Sequence, residues 1–161
     1  MGKPLRRLHA RIVLEKALVF EEHAYHYYHA ILGLTTMSNS FDLLKKISGQ
    51  KLRAIIMLKE MQRKGRVKNI EFSVDKRYGH DSLTSTDLDT LCEEWPNLKP
   101  DDSPDTILRY ALQKEKCACL FYRKLIQRTR HTDIHEVFQN LLHEGEEHAR
   151  DIEKELKTIT A

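Results

Sequence analysis

Two glutamates in this 161-residue sequence stand where their chemistry needs an explanation. Glu21 interrupts an apolar series at spacings of three and four: Leu14, Ala17, Leu18, Ala24, Tyr25, Tyr28, Ile31 and Leu32. Glu115 interrupts a second series in the same rhythm: Leu108, Ala111, Leu112, Ala118, Cys119, Tyr122, Leu125 and Ile126. Such series are the apolar stripes of helices facing a core. An ionised carboxylate on that stripe costs several kcal/mol unless it is paired or bound to metal. The plainer reading is that each glutamate pairs with a local Lys or Arg. Their matching places in two repeats point instead to one shared cation at the centre.

A third group lies in HEGEEHARDIE, His143 to Glu153. His148 falls in a helical, glutamate-rich run, but the position three residues earlier is Gly145. Glu144, four residues before His148, shares its helix face, and an i, i+4 pair can chelate as in His-Glu-x-x-His. The alternative is that most of Glu144, Glu146 and Glu147 form a solvated face. Glycine inside a helix costs about 1 kcal/mol relative to alanine. Gly145 therefore implies close approach by a neighbouring side chain, or a distortion that re-aims Glu144.

Four long segments of helical periodicity must position these groups. They run over about 4–34, 40–64, 103–130 and 132–158. Ser40 is a candidate N-cap for the second, and Gly65 stops it. Ser103 and Pro104 suit the N-cap and first position of the third. The short connections make helices one and two, and three and four, antiparallel neighbours. Residues 65–102 show no sustained period, apart from a short helical stretch near Ser85 to Glu94. They read as a long crossover, with Trp95 as a packing anchor. The expected fold is all-α: a single antiparallel four-helix bundle with one crossover between helices two and three. Helices two and four align so that Ile47, Gln50, Arg53, Ala54 and Met57 match Leu142, Gly145, His148, Ala149 and Ile152.

EEHAYHYY (Glu21 to Tyr28) and EKCACLFY (Glu115 to Tyr122) both fit Glu-x-x-Ala-x-x-aromatic-Tyr. These stretches resemble the first and third helices of rubrerythrin-like members of the ferritin-like superfamily. The late GEEHA resembles the family's fourth-helix pattern. The resemblance covers the four helices and not the crossover. It implies a di-iron centre held by one Glu from each of two helices and Glu-x-x-His from each of the others. It further implies oxygen, peroxide or iron-oxidising chemistry, with an external electron donor because no rubredoxin module is present.

The sequence departs from that pattern. Helix two reads Gln50-Lys51-Leu52-Arg53-Ala54 where the family has Glu-x-x-His-Ala, and Gly145 replaces a glutamate. Glu21, Glu115 and His148 match, and with Glu144 and Gln50 they form the candidate iron set. Three ligands can hold one metal with water completing the shell. The metal-free alternative places Arg53 between Glu21 and Glu115, since guanidinium keeps its charge and can bridge two carboxylates. Tyr28 and Tyr122, on the stripes, are expected to bond the carboxylates. Function then divides between an iron-dependent peroxidase or oxidase and a metal-free ferritin-like scaffold acting through protein–protein interaction.

Bulk properties narrow the classes. Charged residues make up 32% and hydrophobic ones 40%, the profile of a helix-rich globular chain and too apolar for disorder. The net charge of +3 is spread out, which argues against a nucleic-acid partner. Cys92, Cys117 and Cys119 form no Cys-x-x-Cys pair, and an odd count without a secretory leader favours a reducing compartment. No stretch has the length of a membrane span. The expected setting is the cytoplasm and the expected assembly a homodimer. His23, His26 and His29 drift round helix one and read as a surface stripe.

Overall fold

The computed structural model describes residues 3–34, 38–64, 97–128 and 132–161. These form four helices: α1 (Lys3–Leu34), α2 (Ser38–Arg63), α3 (Pro104–Arg128) and α4 (Thr132–Thr160). No strand occurs among the described residues. No helix among them is long and apolar enough to cross a membrane. Most of the expected crossover, including Cys92, Trp95 and the stretch near Ser85 to Glu94, lies outside the described residues.

The start of α3 follows its sequence signals. The Ser103 hydroxyl accepts from the Thr106 amide at 3.2 Å, and Pro104 takes the first helical position. Asp105 in the first turn complements the helix dipole. Before it, Asp102 closes a turn, with its carboxylate accepting from the Lys99 amide at 2.8 Å. The second helix differs from expectation. It begins at Ser38, and Ser40 is buried inside it, donating to Glu155 on α4 at 3.2 Å. Inside the helix the hydroxyl does not accept from a free backbone amide as an N-cap would, but donates to a carboxylate instead.

Each helix buries one stripe. In α1 it is Val13, Leu14, Ala17, Phe20, Glu21, Ala24, Tyr28 and Ile31. In α2 it is Leu44, Ile47, Ser48, Lys51, Ala54, Ile55, Leu58 and Met61. Helix α1 packs along α2 and α3 along α4, and the two pairs meet through α1 with α3 and α2 with α4. Two apolar clusters result. One holds Leu14, Phe20, Leu58, Phe121, Tyr122 and Phe138, with Phe20 stacked on Phe121 at a centroid distance of 4.6 Å. The other holds Tyr28, Ile31, Leu44, Ile47, Leu108 and Ile152. Between them every helix contributes a buried polar residue: Glu21, Lys51, Glu115 and His148.

Candidate functional site

The centre is built by one polar side chain from each apolar stripe. Glu21 and Glu115 are each 1% exposed, on α1 and α3. Buried carboxylates need donors, and tyrosines supply them across the interface. Tyr28 of α1 donates to Glu115 Oε1 at 2.6 Å. Tyr122 of α3 donates to Glu21 Oε1 in a short hydrogen bond. The same two-residue unit is thus used twice, each tyrosine serving the carboxylate of the other helix.

The cation between the carboxylates is Lys51. Its ammonium donates to Glu115 Oε2 at 3.2 Å and lies 3.9 Å from Glu21 Oε2, with the side chain 6% exposed. Lys51, not Arg53, therefore occupies the bridging position, and Arg53 is exposed. The physical reason is helix phase. The buried stripe of α2 runs through Leu44, Ser48, Lys51 and Ile55, which correspond to Leu141, Gly145, His148 and Ile152 of α4. That register is shifted by two residues from the alignment that matches Gln50 with Gly145 and Arg53 with His148. The signal was present in the sequence: Lys51 has apolar residues at Ile47, Ala54, Ile55 and Leu58, just as Glu21 does on its own helix.

His148 completes the cluster from α4 and is 2% exposed. Its Nδ1 lies 3.2 Å from Glu115 Oε2, and its Nε2 2.6 Å from Gln50 Oε1. An ionised carboxylate can only accept, so Nδ1 carries a proton. The Gln50 amide can present its oxygen or, turned over, its NH₂ to Nε2. Gln50 is thus a partner of the histidine and not of the carboxylates.

The environment splits the two glutamates. Burial alone would raise the Glu115 carboxyl. The Lys51 charge, the bonds from His148 and Tyr28 and the His148 charge outweigh it, lowering the carboxyl to about 2. Burial dominates at Glu21 and raises it, with Lys51 and Tyr122 opposing and the charges of Glu115 and Glu144 adding to the rise. Burial also disfavours the charged Lys51, but Glu115 and Glu21 more than compensate and push its pKa well above the ordinary lysine value. Tyr28 and Tyr122 are held well above the ordinary phenol value, first by burial and then by the adjacent carboxylates, so both keep the proton they donate. Among the described residues, Glu21 Oε2 is a buried oxygen with no hydrogen-bond partner.

Glu144 is half-buried and makes no hydrogen bond or ion pair among the described residues; only its charge reaches the cluster. Gly145 is explained by close approach. A Cβ there would stand 3.1 Å from Cys119 Sγ and 3.8 Å from Glu115 Oε2. The glycine gives room to the thiol, which burial first and Glu115 second push above its ordinary value. Cys117 and Cys119 are both free. Tyr25 is half-buried and lies outside the stripe, stacked on exposed His29 at a centroid distance of 6.0 Å.

The donor set fits poorly to a di-iron centre. Among the described residues no three His, Cys, Asp or Glu side chains converge as a metal site. The point between the carboxylates already carries a fixed positive charge. No family model, no curated protein and no solved structure matches the chain.

Proposed function

We propose that this chain is a ferritin-like four-helix bundle that works as a metal-free scaffold, with protein–protein interaction as its mode of action. The observation that carries the reading is the Lys51 ammonium between Glu21 and Glu115. A tethered lysine supplies the positive charge that the two buried carboxylates need, and no external cation is required to satisfy them. The antiparallel arrangement is supported by the two apolar clusters. One joins the first half of α1 to the second half of α2, the second half of α3 and the first half of α4. The other joins the opposite halves. With α2 and α3 then running the same way, the end of α2 and the start of α3 lie at opposite ends of the bundle, the arrangement that a ferritin-type connection joins.

Interaction with a second copy in the cytoplasm is the simplest form of that function. Leu52 and Ile56, one turn apart on α2, are 40% and 59% exposed. Exposed apolar residues on one helix face suit a protein partner better than a nucleic acid. A second reading, an iron site on Glu21, Glu115 and His148 fed by an external electron donor, is favoured by Glu21 Oε2, which accepts no hydrogen bond among the described residues. It requires Lys51 to leave the centre.

Anaerobic Fe(II) titration of the purified chain, with elemental analysis after desalting, tests the choice. The scaffold reading expects no retained iron and the same unfolding midpoint with and without chelator. One or more irons retained per chain, lost in Glu115→Ala, would establish the second reading instead.

A further inference from the structure

The tethered cation has a consequence for what the cluster could otherwise bind. Glu21 Oε2 and Glu115 Oε2 both face Lys51 Nζ, at 3.9 and 3.2 Å, and His148 Nδ1 lies 3.2 Å from that same Glu115 oxygen. The two carboxylate oxygens flank the ammonium and the imidazole stands beside one of them; the three do not converge as they stand, but they are donor types that a divalent ion accepts. Glu21 Oε2 has its acceptor capacity unspent among the described residues. Gln50 offers an amide oxygen from beside the imidazole.

We infer that Lys51 is the residue that excludes divalent metal from this centre, so that neutralising Lys51 alone opens Glu21, Glu115 and His148 to one such ion. The inference rests on the scaffold reading and deepens it, by assigning the absence of metal chemistry to one side chain. Three observations carry it. The ammonium holds the point where a metal would have to stand, and like charges repel strongly where water is excluded. Arg53, the other cation in that part of α2, is exposed and does not guard the site. Tyr28 and Tyr122 bring no positive charge: each donates to the Oε1 of its glutamate, whereas Lys51 faces Oε2.

Zinc–oxygen bonds are about 2.0–2.2 Å, so each carboxylate must close by roughly 1–2 Å into space the lysine side chain vacates. The tyrosine bonds hold Oε1 of each glutamate and leave Oε2 to turn inward. His148 can bind through Nδ1 only in the tautomer that carries its proton on Nε2, where the Gln50 oxygen at 2.6 Å accepts it, and water then takes the fourth place of a tetrahedral shell.

Zinc(II) and cobalt(II) are the probes. Wild type, Lys51→Gln, Lys51→Ala and Lys51→Gln/Glu115→Gln are compared by calorimetric titration, by zinc content after desalting and by Co(II) visible absorption. The expected result is one zinc per chain in both Lys51 single variants. It binds at least 100-fold more tightly than in wild type, is lost in the double variant and has the cobalt spectrum of a tetrahedral site. At a hundred times its Kd, zinc should raise the Tm of either single variant by about 5–10 °C. Zinc bound through the exposed histidines of α1 would persist in the double variant, which separates it from the site. Folded single variants that bind no zinc would overturn the inference and leave the scaffold reading standing. So would single variants that remain unfolded with zinc present. Tight binding by wild type would overturn the scaffold reading and the inference together.

Discussion

Tyr28 on α1 donates its hydroxyl to Glu115 on α3 at 2.6 Å, across 87 residues of sequence. Tyr122 on α3 returns the bond to Glu21 on α1. The two helix pairs are thus joined by reciprocal polar contacts at the level where the two apolar clusters meet. Apolar packing is tolerant of sliding and rotation, but a buried carboxylate left without its donor is not. This exchange gives the interface between the pairs a defined register.

The two bonds differ in strength. A hydrogen bond to a charged acceptor is worth about 1.5–3 kcal/mol, against about 1 kcal/mol for a neutral one. Glu115 is drawn down to about 2, whereas Glu21 is raised. At pH 4.5, where Glu115 is ionised and Glu21 is mostly protonated, Tyr28→Phe should therefore lose more unfolding free energy in urea than Tyr122→Phe. Equal losses would mean that the two carboxylates are ionised to the same extent.

Lys51 and Arg53 provide a sharper contrast. Removing one partner of a buried ion pair costs about 3–5 kcal/mol, because the remaining charge stays desolvated. In a chain of this size that corresponds to a Tm loss of about 6–20 °C for Lys51→Met. Arg53→Ala, on the exposed face, should leave the melting temperature unchanged. Thermal unfolding followed by circular dichroism decides it, and the reverse pattern would restore Arg53 as the bridge.

That contrast also locates what could be read from the sequence alone. The helices, the Ser103 cap and the convergence of Glu21, Glu115 and His148 follow from period and residue type. Each of those carboxylates and the histidine breaks an apolar stripe visibly. Lys51 breaks one too, but a lysine beside apolar residues reads as solvated by default, since its long stem carries the charge outward. Two candidate phases of α2 differ by two residues, and Gln50 and Arg53 fitted the one suggested by aligning α2 with α4. What settles the phase is the buried set Leu44, Ile47, Lys51, Ala54 and Leu58, which depends on contacts with the other helices. Glu144 and Gly145 show the same limit: the glycine's purpose is a sulfur atom on α3, invisible along α4.

The split carboxylates predict opposite pH slopes. Glu115 is lowered from 4.5 to about 2, so its contribution is fully present above pH 4.5 and is lost as pH falls towards 2. Glu21 is raised from 4.5, so its contribution is present below that value and is lost as pH rises through the folded-state pKa. Melting temperatures from pH 2 to 8 should show Glu115→Gln flattening the acid limb. Glu21→Gln should flatten the decline above pH 4.5 instead. Identical profiles for both variants would contradict the assignment. Lys51, raised from 10.5, adds a term that persists up to that pH and is lost only as pH climbs beyond it.

Gly145 faces Cys119, and the pair can be tested as a unit. Alanine in a helix interior is worth about 1 kcal/mol over glycine. A Cβ at Gly145 would stand 3.1 Å from Cys119 Sγ, with Glu115 Oε2 3.8 Å from the same point. At 3.1 Å the contact is tighter than ordinary van der Waals packing, so the sulfur must shift by a few tenths of an ångström and the contact offsets the propensity gain. Gly145→Ala should therefore leave wild-type stability unchanged or lower it. In a Cys119→Ala background the same substitution should stabilise by about 1 kcal/mol, since the obstructing sulfur is gone. Urea unfolding of the four proteins closes the cycle. A coupling near zero would show that the glycine answers to something other than the thiol, and that α4 is free to carry a larger side chain beside Glu115.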